Sequence, residues 1–234
     1  MRDRFNYEIE TLKQRLLDLA TAADHALVGA LRAFAENDET GARTLVEADS
    51  AIDAEEVGIE EECLKLMALY QPVAGDLRLL VTILKINGEL ERAADLASGI
   101  AARTLDPEGQ PEPGGERFDF SAMLSETHRM LRQALDAFVC HRPDLARRVI
   151  ASDDAVDALH AATVRDVRRR LLQYPKQAGY TLGCLSISRA LERIADIATN
   201  ICEDVIYLEE GQIVRHAQRL DAPENIHEQH DSDR

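Results

Sequence analysis

The chain has little aromatic character. Trp is absent, and Phe and Tyr together supply only 4% of its 234 residues. Sheets built on aromatic and β-branched pairs find little material here, whereas abundant Ala, Leu, Glu and Arg suit long helices. Cysteine is also scarce: Cys63, Cys140, Cys184 and Cys202 stand alone. Without a Cys-x-x-Cys pair there is neither a zinc knuckle nor a dithiol redox motif, and isolated thiols fit a reducing compartment. No apolar run approaches the roughly 20 residues of a membrane span. The opening Met-Arg-Asp-Arg-Phe-Asn lacks the apolar core of a signal peptide. These features predict a cytoplasmic protein that reaches a membrane through a partner and not by insertion. Positive charge is outnumbered, 27 Lys and Arg against 43 Asp and Glu, for a net −16. That field repels nucleic-acid phosphates and argues against an anionic lipid surface. It leaves cations and basic proteins as partners. No Gly-rich phosphate loop and no activated nucleophile is visible, so nothing points to an enzyme.

What the sequence does contain is helical periodicity. Phe5, Ile9, Leu12, Leu16, Leu19, Ala23, Ala26, Ala30 and Phe34 alternate by fours and threes, the seam of a long packed helix. Leu45, Ile52, Ile59 and Leu66 recur by sevens in a second helix, which Gln71-Pro72 ends. Ile86, Leu90, Ala93, Ala97 and Ile100 mark a third. A Pro- and Gly-rich stretch over 105–116 cannot continue it. A fourth helix is expected from about Phe118 to His141, a fifth from Pro143 to Tyr174-Pro175, and a sixth through Ile187, Leu191, Ile194, Ala198, Ile201 and Val205 to a stop at Gly211. The polar end beyond about residue 220 reads as disordered. Arg165, Arg168, Arg169 and Arg170 form a basic cluster, read as solvated or paired with acids, with a docking patch as the other reading.

One unit occurs twice. Leu90-Glu-Arg-Ala-Ala-Asp95 and Leu191-Glu-Arg-Ile-Ala-Asp196 each place two carboxylates four apart, on one helical face: Glu91/Asp95 and Glu192/Asp196. Upstream of each lies a second pair, Asp49/Asp53 and Asp153/Asp157. Asp49 and Asp95 are equidistant from Pro72, as are Asp53 and Glu91. Asp153/Asp196 and Asp157/Glu192 are likewise symmetric about the Tyr174–Pro175 turn. In antiparallel hairpins, each set of four acids therefore sits at one height, about 30 Å from its turn.

Such a set repels itself unless something cancels the charge. Protons, salt bridges from Arg92 and Arg193, or a multivalent cation would serve; oxygen-rich sites suit Mg, Mn, Ca and iron. Glu56 continues the first stripe, His160 takes its place in the second repeat, and Asn200 lies four beyond Asp196. Gly99 stands where Asn200 would recur, which marks the first site as the poorer one. Two solvated acidic faces are the alternative.

Glu60-Glu-Glu-Cys-Leu-Lys-Leu-Met-Ala-Leu-Tyr-Gln-Pro-Val-Ala-Gly-Asp-Leu-Arg78 with Leu90–Asp95, then Leu191–Glu203 and Tyr207–His216, resemble the two repeats and C-terminus of the PhoU family. The likeness runs from about Arg4 to His216. It implies an all-α fold of two tandem pseudo-repeated three-helix bundles, over 1–104 and 117–211, with a linker at 105–116 and a C-terminal end and tail at 212–234. It implies a cytoplasmic negative regulator of the phosphate-starvation response. Such a regulator links the ATPase subunit of the phosphate ABC transporter to the phosphate sensor histidine kinase, restrains uptake when phosphate is ample, and forms a homodimer. It also implies metal clusters (iron, zinc, manganese or magnesium) on Asp49, Asp53, Glu91 and Asp95, and on Asp153, Asp157, Glu192 and Asp196. Ala94 and Ala195 stand where the family has Gly.

Two other classes compete. A di-iron carboxylate oxidase needs two Glu-x-x-His motifs in one bundle. Asp157-Ala-Leu-His160 is half of one, and Glu224-Asn-Ile-His227 falls in the tail. A metal-free helical adaptor would use the same acids as a docking face.

Overall fold

The computed structural model describes residues 2–107, 110–111 and 116–214. They form α1 (Arg2–Glu36), α2 (Glu39–Tyr70), α3 (Ala74–Thr104), α4 (Ser121–Val139), α5 (Pro143–Ile150), α6 (Asp153–Gln173) and α7 (Ala178–Glu210), with a 3₁₀ turn at Pro175–Gln177. The protein is all-α, on a six-helix plan in which the fifth long helix is divided. Ser152 turns its hydroxyl back to the Val149 carbonyl at 2.7 Å, and the chain restarts as α6 at Asp153.

Local chemistry sets the ends. The Asp38 carboxylate accepts from the Gly41 N–H at 2.9 Å and opens α2. Gly211 closes α7 at φ 69°, where the absence of a Cβ removes the steric penalty. α4 starts later than its periodicity suggests. Asp119 accepts from the Ser121 N–H at 2.8 Å, and Phe118 and Phe120 leave the helix to pack elsewhere. Phe120 meets Phe34 of α1; Phe118 lies against Tyr180 of α7 and gives its N–H to the Tyr180 hydroxyl at 3.1 Å. The end of the linker is thereby pinned between the two halves.

α1 packs on α2 and α3, α4 packs on α6 and α7, and α1 touches α4. α3 and α7 join the halves. Each buries a long stripe, Ile83, Ile86, Leu90, Ala97 and Ile100 on α3, and Ile187, Leu191, Ile194, Ala198 and Ile201 on α7, and the buried side chains form one continuous core. The two helices run antiparallel. Arg78 Nε donates to the Leu208 carbonyl at 3.4 Å, Lys85 Nζ meets Asp204 Oδ1 at 2.9 Å, and Asn200 Nδ2 donates to Glu89 Oε1 at 3.3 Å. The helices therefore follow the order α2, α3, α7, α6 across one layer, with α1 and α4 behind. The tail with Glu224 and His227, and linker residues 108–109 and 112–115, lie outside the described residues.

Candidate metal centre

Two acidic clusters occupy the middle of this layer. In the first, Asp49 and Asp53 of α2 face Glu91 and Asp95 of α3. Carboxylate oxygens of Asp49, Asp53 and Asp95 all lie within 4.8 Å of one another. Burial pushes the Asp49 pKa up, a hydrogen bond with Ser98 opposes it, and Asp95 and Asp53 add to the rise. Burial followed by Asp95, Asp53 and Glu56 raises Glu91. Glu56, raised by burial and then by Glu60 and Asp53, is held from α3: fully buried Asn87 donates to the Glu56 carbonyl at 2.9 Å and to Oε1 at 3.1 Å. Asn87 Oδ1 is itself buried without a donor among the described residues, a state worth about 1–3 kcal/mol of lost hydration unless a ligand meets it.

In the second cluster, Asp153 and Asp157 of α6 face Glu192 and Asp196 of α7. Asp153 opens α6, where the helix N-terminus favours a carboxylate. Burial, then Asp157, Asp196 and Glu192, nevertheless push it up to about 6. Glu192 rises through burial and Asp196 against the pull of His160; Asp196 rises through burial and Asp157 against that of Arg193. His160 Nδ1 hydrogen-bonds the Ser188 hydroxyl at 2.8 Å, an outer contact of the kind that orients a ligating imidazole. This contact corresponds to the Glu56–Asn87 pair of the first repeat.

The structure answers the question of what cancels the charge only in part. Among the described residues, no cationic side chain forms an ion pair with the acids of either cluster, although Arg193 acts on Glu192 and Asp196 from nearby. Arg92 turns instead to Glu89, at 2.5 Å. Protons and cations remain. The donor set, carboxylates with one imidazole at the second site, fits hard and borderline cations.

Asn200 is not drawn into the second cluster. It reaches across to Glu89 on α3. The first site, expected to be the poorer because of Gly99, holds the tight trio; Gly99 is exposed, and a Cβ there would meet nothing within 4 Å. Asn87, Ser98 and Ser188 were visible in the sequence only as polar positions flanking the acids. Their cross-helix bonds depend on how α3 and α7 rotate against their neighbours.

Antiparallel packing of α3 and α7 also brings the clusters together. A cleft of about 430 Å³ runs between these helices, with Asp95 and Arg92 on one wall, Asp196 and Arg193 on the other, and Leu96 and Ile197 between them. One carboxylate from each cluster thus faces a common groove.

Comparison with known proteins follows the same division. A family model described as the PhoU domain matches residues 16–104 and again 120–205. The chain is 34% identical to the phosphate-specific transport system accessory protein PhoU homolog of Pseudomonas aeruginosa, over 91% of this chain and 88% of that one. It is 31% identical to the Escherichia coli PhoU accessory protein over the same shares. The crystal structure of the Pseudomonas aeruginosa protein superposes with a TM-score of 0.82 at 34% identity, covering 89% of this chain and all of that one. The phosphate transport system regulatory protein PhoU of Streptococcus pneumoniae gives 0.83 at 29% identity, with 90% and 99% covered.

Proposed function

The chain belongs to the PhoU family, and on that premise we propose that it is a negative regulator of the phosphate-starvation response. PhoU proteins are accessory and regulatory components of phosphate transport and not enzymes. On this reading the protein works in the cytoplasm as a homodimer. It contacts the ATPase subunit of the phosphate ABC importer and the phosphate sensor histidine kinase, and it restrains uptake when phosphate is ample. Its units are the bundles 1–104 and 117–211, the linker 105–116 and the end 212–234.

The supporting observation is the pair of acidic clusters that share the α3–α7 groove and form no ion pair with a cationic side chain among the described residues. Asp49, Asp53 and Asp95, with Glu91 and Glu56 beside them, would hold a cation in the first repeat. Asp153, Asp157, Glu192 and Asp196, with His160, would hold one in the second. A bound cation supplies positive charge; the residues supply its placement, since Asp95 and Asp196 carry that charge to opposite walls of one groove. Asn200 belongs to the groove and not to the metal set.

Metal content per chain, measured by plasma mass spectrometry on tag-free protein purified without chelator, tests the metal reading. Roughly one or more equivalents are expected, lost when Glu192→Ala/Asp196→Ala is combined with Asp49→Ala/Asp95→Ala, while helicity is kept. Metal-free folded protein would leave the acids as a docking face. Deleting the gene tests the regulatory role: alkaline phosphatase is expected to be derepressed in phosphate-rich medium, and unchanged repression would count against it.

A further inference from the structure

The net charge of −16 conceals a local reversal at one end of the molecule. Arg165, Arg168 and Leu172 fall at i, i+3 and i+7 of α6, hence on one face, and all three are exposed. Tyr174 and Lys176, in the turn that follows, are exposed too. Leu172 is 86% exposed, the highest value of any large apolar side chain described, with Tyr174 at 55% and Leu182, across the turn on α7, at 50%. Asp166, next to Arg165 in sequence, is engaged by Arg169 and Arg170, and Glu116 by Arg170. Arg165, Arg168 and Lys176 have no ion pair among the described residues.

The turn between α2 and α3 provides an internal contrast. It also exposes apolar side chains, Leu69, Val73 and Leu77. Its neighbours, however, are Asp76 and an Arg78 occupied with the Leu208 carbonyl. Leu64, Lys65 and Tyr70 stand near it as well, but Lys65 is paired with Glu62 at 3.0 Å, so exposed cations without an ion pair beside Leu and Tyr are found at the α6–α7 turn. The acidic clusters do not overrule them. Asp157 lies roughly 25 Å along α6 from the turn, and about 12 Å from Arg165 and about 17 Å from Arg168, so its field is screened by about one and a half lengths at the nearest cation and about three at the turn at physiological ionic strength.

We propose that the α6–α7 hairpin end adsorbs to an anionic phospholipid surface. Arg165, Arg168 and Lys176 meet headgroup phosphates, and Leu172 and Tyr174 settle at the acyl boundary, the pairing of basic and amphipathic groups that holds peripheral proteins on membranes. The chain does not cross the bilayer, since no helix among the described residues is long and apolar enough. The proposal is independent of metal binding and of the signalling role.

Co-sedimentation of the full chain with vesicles tests it, in chelator so that no cation bridges the acidic clusters to lipid. Vesicles of equal phosphatidylglycerol and phosphatidylcholine are expected to retain the protein at low ionic strength and release it at about 0.5 M salt, while pure phosphatidylcholine retains none. Arg165→Gln/Arg168→Gln is expected to weaken partitioning about 25-fold, near fivefold per arginine. Leu172→Ser weakens retention at low ionic strength. Circular dichroism checks that these exposed substitutions leave the fold intact, and the lipid and salt series on the unmodified chain decides the matter even where a variant fails to fold. No retention on phosphatidylglycerol, equal retention on pure phosphatidylcholine, or a folded double variant that binds undiminished would each overturn the proposal. Binding to poly-glutamate by a protein that ignores the vesicles would overturn it in favour of an acidic protein surface.

Discussion

At the scale of single residues, Asp153 carries the clearest electrostatic consequence. Its pKa stands at about 6 in the folded chain against an ordinary value of 3.8, because burial and three facing carboxylates disfavour its charge. Over the interval between those values the folded state binds more protons than the unfolded state. Stability of the metal-free protein therefore falls as pH rises from about 4 to about 6.5. Asp49, Glu56, Glu91, Glu192 and Asp196 are shifted in the same direction and contribute with the same sign. Asp153→Asn removes one such charge while keeping a residue suited to a helix start. It is expected to stabilise the chelated protein by roughly 1–2 kcal/mol at pH 7, after allowance for solvent screening, and to flatten the pH profile. Urea unfolding of the two proteins at pH 4.5 and pH 7 measures both effects, and equal stabilities at pH 7 would mean that the carboxylates do not strain the fold. With metal present the sign reverses: cations compete with protons for the same oxygens, so affinity rises with pH through this range.

At the scale of elements, the contrast between α3 and α4 shows what a sequence can disclose. The stripe Ile86, Leu90, Ala93, Ala97, Ile100 is periodic over several turns, and α3 runs through it as the spacing requires. The symmetry of the acids about Pro72 and about Tyr174–Pro175 likewise carries into the structure, because tight turns fix which positions of a hairpin share a height. The start of α4 was not legible. Phe118 and Phe120 continue the apolar pattern, yet they serve a tertiary cluster with Phe34 and Tyr180 that no local rule anticipates. Nor was the division of the fifth helix, since Ser152 and Asp153 read equally well inside a helix or at its start. The convergence of the two acidic clusters on one groove follows from the antiparallel approach of α3 and α7, a contact between halves on which hairpin arithmetic is silent. The aromatic cluster itself makes a prediction. Tyr180→Phe keeps the ring but leaves the Phe118 N–H without its acceptor, at a cost of about 1–3 kcal/mol. Chemical denaturation should show that loss. An unchanged midpoint would mean that water replaces the hydroxyl.

At the scale of the whole molecule, the continuous core and the acidic clusters are linked. α3 and α7 belong to both halves of the core, and each also supplies two acids to its cluster, so opening either bundle disrupts a site and exposes a face of the other. The halves should therefore unfold together, in a single thermal transition. A cation that binds only the folded chain stabilises it by about 2.7 kcal/mol when its concentration is a hundred times its dissociation constant. For a chain of this size that corresponds to a rise of roughly 5–10 °C. Scanning calorimetry of chelated and metal-supplemented protein should thus show one transition that moves upward with metal, and Glu192→Ala/Asp196→Ala should retain part of the shift through the first cluster. Two transitions, of which metal moved only one, would show that the bundles melt separately and that the α3–α7 contact does not couple them. A single transition unmoved by any of the candidate cations would leave protons as the agents that neutralise the clusters, and the groove between α3 and α7 would then respond to pH and not to metal.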